Sequence, residues 1–255
     1  MGLQAIAQAR TVARPPETPT PRPSPSEIGR RYQVADDRVA DWSPKLFGVI
    51  GLGGLGGTQN LTVREGRLLD NLTRDRGIAG LAEFRNIRDE AFAEADRREP
   101  PAAGPIPAAV EARIRDLPPR AQVEARALWP TNDGHNDAFR HAFWNARLTS
   151  EFGNEWTAQF ATAHEARPGN PSMREAMDLY NNEVGRRIAT DNPGASPARL
   201  ADLVQQAVRN GDLVVVDRNG RLAWSDSVAV GHHGISPSAP AQGRMQVPDG
   251  NASAR

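Results

Sequence analysis

The amino-acid sequence predicts a mainly α-helical protein: a helical bundle with a small C-terminal β-hairpin, flanked by disordered proline-rich tails. Apolar residues recur at three- and four-residue spacing in several segments, which is the pattern of a helix with one buried face. Capping signatures such as Thr62 with Glu65 precede these segments. Near the C-terminus, two short apolar runs flank Asn219-Gly220, a dipeptide that favours a tight hairpin turn.

Proline-rich composition marks both ends of the chain. Six prolines between Pro15 and Pro25 alternate with polar residues, and the stretch from Ser236 to Arg255 is rich in Ser, Pro and Gly. Such segments bury too little apolar surface to form a core. We therefore expect four segments in the 255 residues: a disordered tail at 1–45, a glycine-rich hinge at 46–60, a helical catalytic domain at 61–230 and a second disordered tail at 231–255.

The predicted domain begins with two helices and a long connection. The capping box of Thr62 and Glu65 starts the first helix, in which leucines supply the apolar stripe. The second helix is expected at 78–98, with apolar residues at 3–4 spacing. The proline-rich connection at 100–119 then has room for at most one helix, at 108–116.

Three further helices follow with short links, so antiparallel packing of neighbours is expected. Asn154 is the predicted N-cap of the second of them. Ser172 and Glu175 have the spacing of another capping box and start the third. These helices are predicted at 137–151, 155–166 and 173–189.

A last helix and a hairpin complete the domain. Ser196 is suited to the N-cap and Pro197 to the first helical position. After this helix, the runs 213–217 and 222–224 predict two short strands. Asn219-Gly220 between them suits the positive dihedral angles of a type I′ turn.

Composition and charge exclude several function classes. The chain has 31 basic and 31 acidic residues, so no overall field favours nucleic acid or an acidic membrane surface. Cysteine is absent, which excludes disulfides, thiol catalysis and cysteine-based zinc sites. The longest apolar run, at 46–55, is shorter than the ~20 residues of a membrane span. The N-terminus has no Sec signal, and we expect a soluble protein that is not integral to the membrane.

Asp137 and His141 are the first candidate catalytic pair. They are four residues apart on one predicted helix, so their side chains project from the same face. The carboxylate can fix one ring N–H and leave the other nitrogen free as a base or ligand. The alternative is an acid that stabilises the helix dipole beside a partly buried histidine.

His164, Glu165 and the helix at 173–189 supply further polar groups. His164 follows Phe160 by four positions, at the edge of an apolar face, where a hydrogen-bonded core histidine is the alternative interpretation. On the third helix a polar stripe of short side chains ends in a glycine that would let a neighbouring helix approach. Such stripes indicate a shared hydrogen-bond network or a site. The stripe comprises Asp178, Asn181, Asn182 and Gly185.

The predicted packing would gather these groups inside one bundle and suits two kinds of chemistry. One is a divalent metal that activates water, with Glu165, His164 and Asp178 as candidate ligands. The other is a His–Asp general base with an amide- and arginine-stabilised oxyanion. The predicted catalytic residues are Asp137, His141, His164 and Asp178. The predicted substrate-binding residues are Arg140, Asn181, Asn182 and Arg186.

The two arginines are candidates because a guanidinium binds phosphate and other anions through paired hydrogen bonds. For Arg140 and for Arg186 an exposed structural role is the alternative.

Two glycine-containing motifs are weaker signals. Residues 51–56 fit the spacing of G-x-G-x-x-G, but no strand–helix–strand unit surrounds them, so we interpret them as part of the hinge. Residues 231–234 read Gly-His-His-Gly, in which Gly-His-His resembles a motif of some nuclease toxins. Only a Ser/Pro/Gly-rich stretch follows, and a metal-binding tail or no function is expected there.

Three motifs resemble those of an uncharacterised bacterial domain family. The chain has D-A-F-R-H-A-F-W-N-A at 137–146, A-H-E at 163–165 and M-D-L-Y-N-N-E-V-G-R at 177–186. The family pattern is D-A-F-R-H-A-x-W-N-A, A-H-E and M-D-x-x-N-N-x-x-G-R, and the likeness covers roughly 61–224. Its members occur in secreted proteins and at the toxin ends of polymorphic effectors. The resemblance implies an effector context and leaves the reaction open.

Three functions are consistent with these observations. The first is a secreted antibacterial effector, without a Sec signal, that hydrolyses a phospholipid, a lipid-linked precursor or peptidoglycan in the target-cell envelope or periplasm. An immunity protein and a secretion-system component would be its partners. The second is a metal-dependent nuclease or nucleotide-directed toxin, for which the balanced charge gives no basic track. The third is a non-catalytic binding or structural domain with a satisfied buried polar network.

Overall fold

The computed structural model describes residues 22–46, 50–51 and 58–236. Most of the predicted hinge at 46–60, including residues 52–56 of the G-x-G-x-x-G motif, lies outside the described residues, as do residues 1–21 and 237–255 of the two predicted tails. Within the described part, the predicted fold class is confirmed: the protein is mainly helical, with a two-stranded antiparallel sheet near the C-terminus.

The described elements follow one another in a simple order. The helices are α1 (Pro25–Arg31), α2 (Val63–Arg98), α3 (Ala108–Arg115), α4 (Pro119–Leu128), α5 (His135–Phe152), α6 (Asn154–Glu165), α7 (Ser172–Asp191) and α8 (Pro197–Arg209). The strands are β1 (Val39–Trp42), β2 (Lys45–Leu46), β3 (Ile50–Gly51), β4 (Gln59–Thr62), β5 (Val214–Val216) and β6 (Leu222–Trp224). Three antiparallel pairs form, β1 with β4, β2 with β3 and β5 with β6. Among the described residues, no helix combines the length and the apolar composition that a membrane crossing requires.

The predicted N-terminal tail is wrong for residues 22–45. Ser24 and Glu27 form a capping box at the start of α1, with a proline in the first turn, and Ile28 of this helix is fully buried. Further along, β1 pairs with β4 and buries Trp42. The Ser24–Glu27 signature lies within the proline-rich composition, so a prediction from composition alone missed it.

Helix α2 confirms the two helices predicted at the start of the domain. The capping box is present, since the Thr62 hydroxyl accepts from the Glu65 N–H at 3.1 Å and the Glu65 carboxylate accepts from the Thr62 N–H at 2.8 Å. The two predicted helices meet at Gly77, whose φ of 66° interrupts the helical backbone. Its ψ is −165°, and glycine adopts this combination of angles because it has no Cβ to clash.

The connection at 100–119 contains the predicted helix, α3, and a second helix, α4, follows it. Helix α4 was not predicted, because none of its residues is buried and it has no side-chain cap. The two helices contribute to a small apolar cluster that is separate from the main core. This small cluster contains Val110, Ile114, Trp129 and Ile235.

Helix α5 is the central element of the main core. Its Phe139 and Phe143 are fully buried, and it runs close to α7. At the crossing, a Cβ on Gly185 would lie 2.0 Å from the backbone oxygen of Ala142. The predicted role of this glycine, to let a neighbouring helix approach, is therefore confirmed.

Two predicted caps differ in the structure. The N-cap of α6 is Gly153 rather than Asn154. Helix α7 begins at Ser172 without the predicted capping box. The Glu175 carboxylate is fully buried and accepts instead from the backbone N–H of Val34, at 2.9 Å. The Glu175 side chain therefore makes a tertiary contact with Val34 instead of the capping hydrogen bond that the local pattern predicts.

The last helix and the hairpin agree with the sequence except in the turn. Ser196 caps α8 by accepting from the Arg199 N–H at 3.2 Å. In the hairpin turn, Gly220 has a φ of 73°, whereas Asn219 does not have a positive φ. The Gly220 N–H donates to the Asp217 carbonyl at 2.8 Å. The turn is therefore not type I′, but one that ends in a left-handed glycine.

The segment 231–236 is not part of a tail. The His233 side chain is buried, stacks on Trp129 and bonds through Nε2 to the Trp129 carbonyl at 2.8 Å. The Gly234 N–H donates to the Val216 carbonyl at 2.8 Å. The predicted tail is wrong for these residues, and His233 has a packing role that the Gly-His-His-Gly motif did not indicate.

Candidate functional site

A cleft of about 570 Å³ leads to the predicted site. Its floor contains Asp137, His141, Glu165 and Asp178, from α5, α6 and α7. One wall is formed by α4 and its flanks, and the other by the loop 167–171 between α6 and α7. The structure thus brings six of the predicted site residues to the lining of one open cavity, namely Asp137, Arg140, His141, His164, Glu165 and Asp178.

His141 lies at the centre of this floor with carboxylates on both sides of its ring. Its Nε2 is 3.4 Å from Oδ1 of Asp137 and 3.7 Å from Oδ1 of Asp178. Its Nδ1 is 3.2 Å from Oδ1 of Asn182 and 3.5 Å from Oε1 of Glu165. All of these side chains are buried.

The hydrogen bonds of Asn182 determine which nitrogen of His141 carries the proton. The Asn182 amide N–H donates to Glu165 at 3.2 Å, which turns the amide oxygen towards His141. The same oxygen accepts from Asn145 at 2.5 Å. Because this oxygen is an acceptor, Nδ1 of His141 bears the hydrogen, and the lone pair on Nε2 points towards Asp137 and Asp178.

The protonation equilibria follow from burial and from the clustering of acids. Burial lowers the pKa of His141 to about 4, so the ring is neutral near pH 7. Burial raises the pKa of Asp178 well above its usual value, and the neighbouring Asp137 raises it further. Burial would also raise the pKa of Asp137, but Arg140 and His141 outweigh it and lower that pKa overall. Burial raises the pKa of Glu165 to about 7.

Asp137, His141 and Asp178 have the arrangement of a metal site. One ligand atom from each lies within 4.8 Å of the others. Oδ1 of Asp178 is buried and has no hydrogen-bond partner among the described residues. Ligands ~2.1 Å from a tetrahedral ion are ~3.4 Å apart, close to the observed distances of 3.4 and 3.7 Å. These three residues could therefore hold a divalent cation.

Asp133 holds the triad in place, and sequence reasoning missed it. Its backbone has a φ of 65°, and its N–H donates to Oδ2 of Asp137 at 2.7 Å. Its carboxylate accepts two hydrogen bonds from Arg174, at 2.9 and 2.7 Å, and another two from Ser236. Its position between Asn132 and Gly134, in a turn-forming tripeptide before α5, was the signal available in the sequence.

His164 is not part of this triad. Its Nδ1 is 2.7 Å from Oε1 of Glu65, and its side chain, which lines the cleft, is 37% exposed. Of the predicted metal ligands, only Asp178 belongs to the triad, and Asp137 and His141 take the other positions. Glu165 is adjacent, on the Nδ1 side of His141.

The predicted substrate-binding residues separate into different environments. Arg140 lines the cleft and pairs with Asp137, whereas Asn182 orients His141. The structure does not place Asn181 in the cleft: its amide bonds to the N–H and the carbonyl of Val214, at 3.0 and 2.9 Å, and so fixes β5 to α7. Arg186 does not line the cleft either, and it donates to Asn145 at 3.4 Å.

Comparison with known protein families gives a match in the middle of the chain. Residues 120–212 match the model of a family described as a domain of unknown function (DUF6973). No curated protein and no solved structure matches the chain. The matched stretch, which is less than half of the chain, contains Asp137, His141 and Asp178 but not Glu65.

Proposed function

We propose that this protein is a metal-dependent hydrolase in which a divalent cation, held by Asp137, His141 and Asp178, activates water. The observation that carries this proposal is the buried Oδ1 of Asp178, which has no hydrogen-bond partner among the described residues and lies 3.7 Å from Nε2 of His141. Without a cation, burial and the neighbouring Asp137 disfavour the charged form of Asp178, and its Oδ1 stays without a hydrogen bond beside the Nε2 lone pair of His141. A cation satisfies that oxygen, the Nε2 lone pair and the Asp137 carboxylate.

The donor set favours Zn²⁺ or Mn²⁺. An imidazole nitrogen and two carboxylate oxygens suit these ions, and a catalytic zinc site has three protein ligands with a further position for water. The cleft gives that position access to substrate. Asn182 bonds to the other ring nitrogen of His141, as is usual for a metal-ligating histidine.

The non-catalytic alternative requires a satisfied polar network. Asn145, Asn182 and Glu165 satisfy the Nδ1 side of His141, and a purely structural network would be equally complete on the other side. There, Asp178 is left with an unpartnered buried oxygen among the described residues. This asymmetry favours a bound cation over a packing role.

The walls of the cleft favour an amphiphilic, anionic substrate. Ala121, Ala125 and Leu128 of α4 are half-buried and line the cleft with one apolar stripe. Arg140 and Arg167 line the same cleft; Arg140 pairs with Asp137, whereas Arg167 has no ion pair among the described residues and suits a phosphoryl group. We therefore propose a phosphoester of an envelope lipid or lipid-linked precursor, in preference to peptidoglycan. The balanced charge argues against a nucleic-acid substrate.

The motifs at 137–146, 163–165 and 177–186 support an effector context. We propose a secreted antibacterial effector that acts in the target-cell envelope, with an immunity protein and a secretion-system component as partners. Expression directed to the periplasm and, separately, to the cytoplasm tests this part. Growth arrest is expected only from the periplasmic form, and arrest confined to the cytoplasmic form would overturn the envelope assignment.

The metal and the reaction are tested together. EDTA-treated protein is titrated with Zn²⁺ and Mn²⁺ by calorimetry and assayed on phospholipid, lipid-linked precursor, peptidoglycan, DNA and RNA. One ion per chain and metal-dependent turnover are expected. Asp178→Asn should lose both, whereas Asp191→Asn, at an exposed position of the same helix, should retain both. Equal metal affinity in Asp178→Asn would overturn the site.

A further inference from the structure

Glu65 and His164 form a second ionisable pair at the cleft, separate from the metal triad. Nδ1 of His164 is 2.7 Å from Oε1 of Glu65, and the Glu65 side chain is 1% exposed. The other carboxylate oxygen, Oε2, accepts from the Thr62 N–H at 2.8 Å. The two oxygens therefore have different partners: one caps α2 and the other holds an imidazole.

Packing fixes the orientation of the His164 ring. Trp144 meets the ring edge-on with centroids 5.3 Å apart, and Phe160 stacks on it at 6.3 Å. The Thr62 hydroxyl donates to the Ala163 carbonyl at 3.0 Å and ties the start of α2 to α6. The ring therefore cannot turn away from Glu65 without disturbing the core.

The free nitrogen of His164 is available to a substrate. Nε2 has no hydrogen-bond partner among the described residues, and the side chain is 37% exposed where it lines the cleft. A helix cap alone would need only one oxygen of Glu65. A buried carboxylate that orients an imidazole through Nδ1 and leaves Nε2 open is the arrangement of a general acid or base.

We propose that His164, positioned by Glu65, is the general acid that protonates the leaving group in the hydrolysis proposed above, on which this inference rests. As the water oxygen bonds to phosphorus, the bond from phosphorus to the leaving oxygen breaks, and the electron pair stays on that oxygen. The proton on Nε2 of His164 passes to it. The proton lost by the water goes to solvent, and His164 regains a proton from solvent.

The charged groups around His164 support this role. Glu65 faces it from α2, Glu165 is its neighbour on α6, and Arg167 and His141 also act on this part of the cleft. Burial lowers the pKa of His164, but the hydrogen bond to Glu65 and the negative charges of Glu65 and Glu165 outweigh it, so the pKa is raised overall. The imidazolium, which carries the proton to be donated, is thereby favoured.

Glu65→Gln separates the acid-positioning role from the cap. Glutamine also serves in a capping box, so its amide oxygen can accept from Thr62. Its NH₂ group cannot accept from Nδ1 of His164. We expect the basic limb of the kcat–pH profile to move to lower pH, with metal affinity and melting temperature nearly unchanged. Glu151→Gln, at an exposed position on α5, is the matched control.

Leaving-group dependence gives the second readout. An alkoxide leaving group needs a proton, whereas p-nitrophenolate does not. With the Zn²⁺- or Mn²⁺-loaded protein, His164→Asn should lower kcat on an alkyl phosphodiester lipid by about 10²-fold, and far less on bis-p-nitrophenyl phosphate. Equal losses on both substrates, or an unshifted pH limb in Glu65→Gln, would overturn the acid role. A wild type that binds metal but cleaves neither substrate would overturn the proposed hydrolase itself.

Discussion

Oδ1 of Asp178 lies 3.7 Å from Nε2 of His141 and has no hydrogen-bond partner in the part of the chain that the structure describes. A cation between them should stabilise the native state. At a free metal concentration of ~100 times Kd, the gain is about 2.7 kcal/mol. Chemical denaturation of the EDTA-treated protein with and without added Zn²⁺ measures it.

Asp178→Asn separates this effect from metal binding elsewhere. The variant should lose the metal-dependent gain. Without metal it should be no less stable than the wild type, because the amide removes a buried acid that burial and Asp137 disfavour in its charged form. A variant that still gains the full 2.7 kcal/mol or so at the same free metal concentration, ~100 times the wild-type Kd, would place the metal somewhere else.

The metal-free protein should lose stability as the pH rises towards 8. Burial raises the folded-state pKa of Glu165 to about 7. A raised pKa means that its contribution is fully present below the unfolded-state pKa of ~4.3 and is lost as the pH rises through the folded value. Glu165→Gln should reduce this loss by roughly 1–3 kcal/mol. Urea unfolding in EDTA at pH 5 and pH 8 measures the difference.

If Glu165→Gln lost as much unfolding free energy between pH 5 and pH 8 as the wild type does, this prediction would be contradicted. Gln is nearly isosteric and can accept from Asn182, so packing around His141 should persist. Near-ultraviolet circular dichroism of the variant at pH 5 checks that the fold is retained.

Local sequence signals predicted most of the helices because their causes are local. Thr62 with Glu65 and Ser196 with its first turn make the expected caps, and Gly77 interrupts α2 where the two predicted helices meet. Ser172 has the same spacing to Glu175, yet Glu175 bonds to the N–H of Val34, 141 residues away. A local sequence pattern cannot show that a distant backbone N–H will bond to the carboxylate in place of the cap.

The candidate site was predictable where one helix supplied the spacing. Asp137 and His141 are four residues apart and do share a face. The partner of His164 is Glu65, 99 residues earlier, and only the packing of α2 against α6 reveals it. Asn181 and Asn182 are adjacent, but neighbouring residues on a helix point ~100° apart, so one meets β5 and the other His141.

These two asparagines should therefore respond differently to alanine. Asn182→Ala removes the acceptor of the His141 Nδ1 hydrogen, and support of this kind is worth 10–100-fold in metal affinity, as an order of magnitude. Asn181→Ala leaves the N–H and the carbonyl of Val214 unpartnered and should cost about 1–3 kcal/mol of stability. Calorimetric Zn²⁺ titration and urea unfolding of both variants distinguish the two roles.

The two variants should differ in which property they lose: Asn182→Ala loses metal affinity, and Asn181→Ala loses stability. Folded Asn181→Ala should bind Zn²⁺ with wild-type affinity. If Asn182→Ala did so too, Asn182 would not position the metal ligand.

Gly185 sets the distance between α5 and α7, the two helices that carry the triad. A Cβ at this position would lie 2.0 Å from the backbone oxygen of Ala142, and a backbone atom of a central helix cannot move aside cheaply. Gly185→Ala should therefore cost upwards of about 3 kcal/mol, at or beyond the usual range for overpacking. Gly77→Ala is the matched control, because a Cβ there meets nothing within 4 Å and only its φ of 66° opposes the change. Its cost should be about 1–3 kcal/mol. Urea unfolding of the two variants should reproduce this order, and equal costs would show that the helices can separate at Gly185.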